Sequence, residues 1–185
     1  MKILGISGSL RKESHNRKLL LAAGELLPDG VELELWDGLR DVPPYDEDED
    51  GDNPPAAVTQ LRAAIAGAHG LLFATPEYNA SVPGQLKNAV DWASRPRTAT
   101  VLQNKPVAVV GASTGAFGAV WAQAELRKVL GTAGARVVDG EVALGHADDR
   151  FDSHGRLIDE NLREELREVV ETLVEQASPP LAVAA

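Results

Sequence analysis

Apolar positions along this chain fall into two alternating patterns. Short continuous runs read as buried strands. Longer stretches with apolar residues every three or four positions read as helices. The runs 2–6 (KILGI), 70–75 (GLLFAT) and 106–111 (PVAVVG) are apolar nearly throughout, as expected for parallel strands covered on both faces. Residues 31–36 alternate apolar and acidic, which predicts a strand with one solvated face, and 135–138 predicts a fifth strand. Between the strands lie helical patterns. The first follows Ser14, carries Leu19, Ala23 and Leu26 on one face with Leu20 and Leu27 beside them, and stops near Pro28-Asp29-Gly30. A second is opened by Pro54-Pro55 and runs to about Ala66, and a third covers 84–94. A fourth covers about 118–130, with Ala122, Leu126 and Val129 on one face. A last helix is capped by Asp159 and aligns Leu162, Leu166, Val169, Val170 and Leu173. Residues 37–53 show no period, and 178–185 read as a frayed tail.

Alternating strands and helices imply an α/β, doubly wound, five-stranded parallel sheet with helices on both faces. The expected strand order is 2-1-3-4-5, in one domain spanning 1–177. Ligands of such sheets lie outside the carboxyl ends of the strands, at the topological switch point. The loops after the first, third and fourth strands should therefore converge.

The first of those loops is Ser7-Gly8-Ser9-Leu10-Arg11-Lys12-Glu13-Ser14-His15-Asn16. A strand, a small-residue loop and a helix N-terminus can hold a phosphate. The first helical N–H groups are unpaired, and the helix dipole favours an anion there. Arg11 adds a planar guanidinium, and Ser9, Ser14 and Asn16 add side-chain donors. The same residues could form an ordinary strand-to-helix turn with Ser14 as N-cap. The loop is neither G-x-x-x-x-G-K-[ST] nor G-x-G-x-x-G, so a Walker-type site and a dinucleotide fingerprint are both missing. Hydroxyl donors around one arginine suit a phosphomonoester.

Composition narrows the classes further. The chain has 185 residues, 44% of them hydrophobic, and a net charge of −10. That balance argues against nucleic-acid binding and against an anionic membrane surface. There is no cysteine, which excludes thiol catalysis and cysteine-ligated metals. The chain enters its first strand at residue 2 with no signal peptide ahead of it, and no apolar run approaches a membrane span, so a cytoplasmic location is expected. The acidic run 46–52 lacks the EF-hand spacing and reads as a solvated, mobile loop. His15, His69, His146 and His154 have no metal-type spacing and read as surface or capping residues. No metal site is expected.

After the third strand comes Thr75-Pro76-Glu77-Tyr78-Asn79-Ala80-Ser81-Val82-Pro83-Gly84. A tyrosine among prolines and amides makes a rigid platform with free backbone groups, suited to a flat heteroaromatic ring. After the fourth strand comes a second small-residue loop, Gly111-Ala112-Ser113-Thr114-Gly115-Ala116-Phe117-Gly118. Ser113 has no local base and no G-x-S-x-G elbow, which argues against a hydrolase.

Two stretches carry a resemblance: Gly8-Ser9-Leu10-Arg11-Lys12-x-Ser14-x-Asn16, and Pro76-Glu77-Tyr78-Asn79-x-Ser81-x-Pro83-Gly84-x-Leu86-Lys87-Asn88-Ala89-x-Asp91-Trp92. Together they resemble the NAD(P)H-dependent FMN reductases, flavodoxin-like quinone, azo-dye and chromate reductases, over nearly the whole chain. The resemblance implies that Ser9, Leu10, Arg11, Ser14 and Asn16 hold the FMN phosphate. It implies that Pro76, Glu77, Tyr78 and Asn79 contact the isoalloxazine, with Ser113, Thr114 and Gly115 closing the other side. It further implies a bound FMN that passes hydride from NADPH or NADH to quinones, azo compounds, free flavin or metal oxyanions in ping-pong order. No protein acid or base is required, since the cofactor carries the chemistry. This chain has Phe117-Gly118-Ala119 where relatives often carry paired glycines, which affects the shape of the nicotinamide and acceptor pocket. The alternatives are a flavodoxin-like electron carrier, whose phosphate loop lacks arginine, and a non-enzymatic flavin-binding sensor. Val82, Leu86, Val90 and Trp92 suggest surplus apolar surface, and with the family habit they point to a homodimer or homotetramer.

Overall fold

A computed structural model describes residues 1–178. The expected tail lies outside the described residues from 179 onward. A parallel sheet of order β2-β1-β3-β4-β5 forms the centre, built from β1 (Lys2–Ser7), β2 (Glu32–Trp36), β3 (Gly70–Thr75), β4 (Pro106–Ala112) and β5 (Arg136–Val137). All positions of β3 and β4 are buried, as their unbroken apolar runs require. Successive residues face opposite sides of the sheet, so each strand feeds two cores. Leu4, Ile6, Leu71, Phe73, Val107 and Val109 meet α2 (Ala56–Ala66), α3 (Gly84–Ala93) and α4 (Val120–Thr132) on one side. Ile3, Leu72, Ala74, Ala108 and Val110 meet α1 (His15–Glu25) and α5 (Glu160–Ala177) on the other.

The fifth strand is shorter than the pattern predicts and has a continuation that the pattern misses. Two residues, Arg136 and Val137, pair with the start of β4. The chain then leaves the ladder, turns at Gly140 (φ +132°), and returns as β6 (Ala143–Leu144) beside Gly111 and Ala112. Arg127 of α4 fills the gap. Its guanidinium donates to Val109 O at 3.0 Å and to Gly140 O, so β4 keeps its hydrogen bonds without a neighbouring strand there.

The stretch 37–53 is pinned, not loose. Gln85, Asn88 and Trp92 lie along one face of α3 and reach its carbonyls: Gln85 Nε2 donates to Leu39 O and Val42 O, and Asn88 Nδ2 and Trp92 Nε1 both donate to Pro43 O. This cover closes over Trp92, whose ring also meets Tyr45 edge-on, and the surplus apolar surface expected around α3 is not there. Val82, Leu86, Val90 and Trp92 are all buried within the chain. The acidic run is partly tied as well, since Asp50 pairs with Arg62 at 2.7 Å and is itself only 9% exposed. No group of acidic or histidine side chains among the described residues could hold a metal ion.

Candidate functional site

Three loops meet at the carboxyl ends of β1, β3 and β4, on either side of the switch point between β1 and β3. They enclose a crevice of about 110 Å³ lined by Ser9, Arg11, Ser14, His15, Asn16, Pro76, Glu77, Tyr78, Ala112, Ser113 and Thr114. Of the residues expected from the sequence, Leu10, Asn79 and Gly115 fall outside this wall. His15 and Ala112 are additions. The enclosed volume is below the ~300–1,000 Å³ of whole small-molecule pockets. It fits one end of a nucleotide-sized ligand and leaves the rest on an open shelf beside Tyr78. A larger groove of about 470 Å³ runs between α3 and α4, away from the switch point; within it Lys87 is paired with Asp91 and Glu125 with Ser81, while Arg97 and Lys128 also line it.

The first loop starts where Gly8 N donates to Ala74 O. A side chain at Gly8 would press on the end of Leu86 and on Pro76, so glycine lets the chain leave β1 this close to α3 without displacing them. Ser14 caps α1 by accepting from Arg17 N at 3.2 Å, which leaves its own O–H free to donate to a ligand. Arg11 lines the crevice, and its guanidinium forms no ion pair or hydrogen bond among the described residues. Nearby Arg17 is paired with Asp37, and Arg40 donates to Leu10 O. The start of α1 is thus a positive spot on a chain of net charge −10, with an unpaired guanidinium at its edge.

Asn16 takes a different part from the one its type suggested. Its Nδ2 donates to Ala112 O and its Oδ1 accepts from Ala112 N, both at 2.9 Å, and the residue is buried. It is a strut between α1 and the end of β4, and it fixes the width of the crevice. Glu77 is spent in a similar way. Its Oε2 accepts from Trp121 N and Ala122 N at the start of α4, both at 3.0 Å, where the helix dipole favours a carboxylate.

The second loop turns through Asn79 and Ala80 at φ +54° and +57°, with Tyr78 and Ser81 exchanging backbone hydrogen bonds. The backbone groups of Tyr78 are thus paired within the turn, whereas the N–H groups of Glu77 and Asn79 on the same platform meet no acceptor among the described residues. Ser81 O–H and Val82 N donate to Glu125. These bonds, the Ser81 hydroxyl first, hold the Glu125 carboxyl below its ordinary value. A lowered carboxylate stabilises above its ordinary titration range and loses that contribution as pH falls through the lowered value, so this anchor weakens only in acid.

The third loop is bound from behind. Gly115 N donates to Ser113 Oγ, His146 N to Gly115 O, and Ala147 N to Ser113 O. Phe117 and Trp121 stand beyond it as an edge-to-face pair 5.1 Å apart, 64% and 50% exposed.

Comparison with known proteins gives the family and the fold. A sequence model of NADPH-dependent FMN reductases matches residues 1–149. An NAD(P)H-dependent FMN reductase of Pseudomonas aeruginosa is 44% identical over 94% of this chain and 93% of its own length. A 2-hydroxy-1,4-benzoquinone reductase of a Burkholderia species is 39% identical over 90% of this chain and 91% of its own. Among solved structures, the flavoenzyme NAD(P)H:(acceptor) oxidoreductase FerB of Paracoccus denitrificans superposes with a TM-score of 0.83 at 33% identity, covering 95% of this chain and 96% of its own.

Proposed function

The chain belongs to the NADPH-dependent FMN reductase family, an FMN-dependent oxidoreductase using NAD(P)H, and from that premise we propose how its crevice is used. The observation that carries the reading is the unpaired Arg11 beside the N-terminus of α1 in a wall of hydroxyl donors. Arg11, Ser9 and Ser14 hold the FMN phosphate, and the open shelf beside Tyr78 takes the ring. When bound, FMN supplies the chemistry, taking two electrons and a proton from the nicotinamide and returning them to an acceptor. The protein supplies orientation. Asn16 fixes the distance between the phosphate end and the β4 loop, while Glu77 and Glu125 lock the 76–83 loop onto α4. Nicotinamide and acceptor take turns at the one open shelf. Quinones are the favoured acceptors, given relatives named for quinone reduction, with azo compounds, free flavin and metal oxyanions as further candidates. We place the protein in the cytoplasm.

The test is Arg11→Ala. Loss of a charge-assisted phosphate contact costs about 1.5–3 kcal/mol, so FMN affinity should fall roughly ten- to a hundredfold with the fold intact. Fluorescence titration of the flavin-free protein reads this directly. An unchanged affinity would put the phosphate elsewhere.

The same reading includes a homo-oligomer. Tyr78, Phe117 and Trp121 are exposed together beside the crevice, with Trp121 N bound to Glu77. A second copy covering this aromatic face would shield the shelf from water. Light scattering at micromolar concentration should report at least a dimer, and Trp121→Glu should shift it toward monomer. A monomeric wild-type protein would defeat this part.

A further inference from the structure

His15 joins the crevice although its sequence context suggested only a surface or capping role, and its surroundings are built. It is the first residue of α1, between Ser14 and Asn16. Its ring stacks on Phe151, with centroids 5.9 Å apart and planes 19° from parallel. Nε2 lies 3.0 Å from Asp148 Oδ1. Asp148 sits on the turn 147–149, and that turn is tied to the β4–α4 loop through Ala147 N to Ser113 O. The imidazole is therefore held at one nitrogen and along one face. The other nitrogen, Nδ1, is buried and has no hydrogen-bond partner among the described residues. Buried polar atoms without partners are rare and costly, and they mark places where a ligand or water completes the set. The neighbours of His15 in the wall include Ser9, Arg11 and Ser14, all donors suited to a phosphate.

We infer that His15 is a further cofactor-binding residue of this enzyme. Its Nδ1–H donates to the phosphate of bound FMN, and Asp148 is the positioning residue that accepts from Nε2–H and holds the ring. The inference rests on the reading that this crevice takes the FMN phosphate. It adds a second nitrogen donor, opposite in kind to Arg11: a short side chain fixed by stacking instead of a long exposed one.

The experiment titrates the full-length, flavin-free protein with FMN and, separately, with riboflavin, which lacks the phosphate. Flavin fluorescence reports binding. His15→Phe keeps an aromatic ring on Phe151 and removes the donor. Its FMN dissociation constant should rise on the order of tenfold, with riboflavin binding unchanged. Asp148→Asn should show a smaller rise, again for FMN only. Equal losses for FMN and riboflavin, or no loss for FMN, would overturn the assignment. Asp148 is 72% exposed, so its substitution keeps the test open should His15→Phe fold poorly. In that case, unchanged FMN affinity in Asp148→Asn overturns the inference by itself. Arg11→Ala in the same titration separates the two readings. If it weakens FMN and His15→Phe does not, only the role of His15 falls. If neither weakens FMN, the placement of the phosphate falls as well.

Discussion

Gly118→Ala should be the most damaging single substitution near the crevice. Gly118 has φ +57°, and a Cβ there would fall inside the Ala143 carbonyl and the Leu144 N of β6. The left-handed backbone alone costs an alanine about 1–2 kcal/mol. The clash is with backbone, which no rotamer change relieves, so β6 must move off β4. We expect a total loss above about 3 kcal/mol, at the severe end for point mutants. Calorimetry should show a melting temperature lower by about 6–12 °C, using ~2–4 °C per kcal/mol for a domain of this size. FMN affinity should fall as well, because Ser113 N is held by Leu144 O of the same strand. A variant with wild-type melting temperature would mean that the 116–119 loop relaxes without disturbing β6. Neighbouring Ala119 adopts φ +62° without glycine, so the strain at this corner is tolerated where a Cβ has room and fails only where backbone stands in the way.

The second large effect is expected at Asn16. Asn16→Leu keeps the side-chain volume but leaves Ala112 N–H and C=O buried without their present partner. Each unsatisfied buried group costs about 1–3 kcal/mol, so we expect roughly 2–4 kcal/mol in total. A denaturant titration should show a lower midpoint at unchanged slope, since the unfolded state is little altered. The crevice should also widen, and the loss of FMN affinity should extend to riboflavin. That pattern differs from Arg11→Ala and His15→Phe, whose effects follow the phosphate. A shift in stability below about 0.5 kcal/mol would show that water replaces the amide at Ala112.

Elements whose pattern is set within one strand or one helical turn are legible in the sequence itself. The runs at 2–6, 70–75 and 106–111 are β1, β3 and β4, because a strand covered on both faces must be apolar throughout. Ser14 and Asp159 cap α1 and α5 by accepting from N–H groups three residues on, a bond confined to one turn of chain. The strand order and the crevice position followed from topology, and most of the motif residues do line that crevice.

The tertiary structure alone decided how those residues are used. Asn16 and Glu77 are polar residues in the motifs, yet their side chains are spent on backbone 96 and about 44 residues away. The same is true of the gap between β5 and β6, which depends on Arg127 reaching Val109 from α4. The cover over Trp92 depends on a patternless segment, 37–53, laid along α3 by hydrogen bonds from Gln85, Asn88 and Trp92. His15 reads in the sequence as a surface or capping residue, because its stacking partner and its carboxylate come from more than 130 residues along the chain. Periodicity and capping report interactions within a turn or a strand, so the sequence by itself determined the elements, their order and the loops that meet. A side chain with two possible hydrogen-bond partners chooses the one that folding brings within about 3 Å, and only the packed sheet and helices decide which one that is.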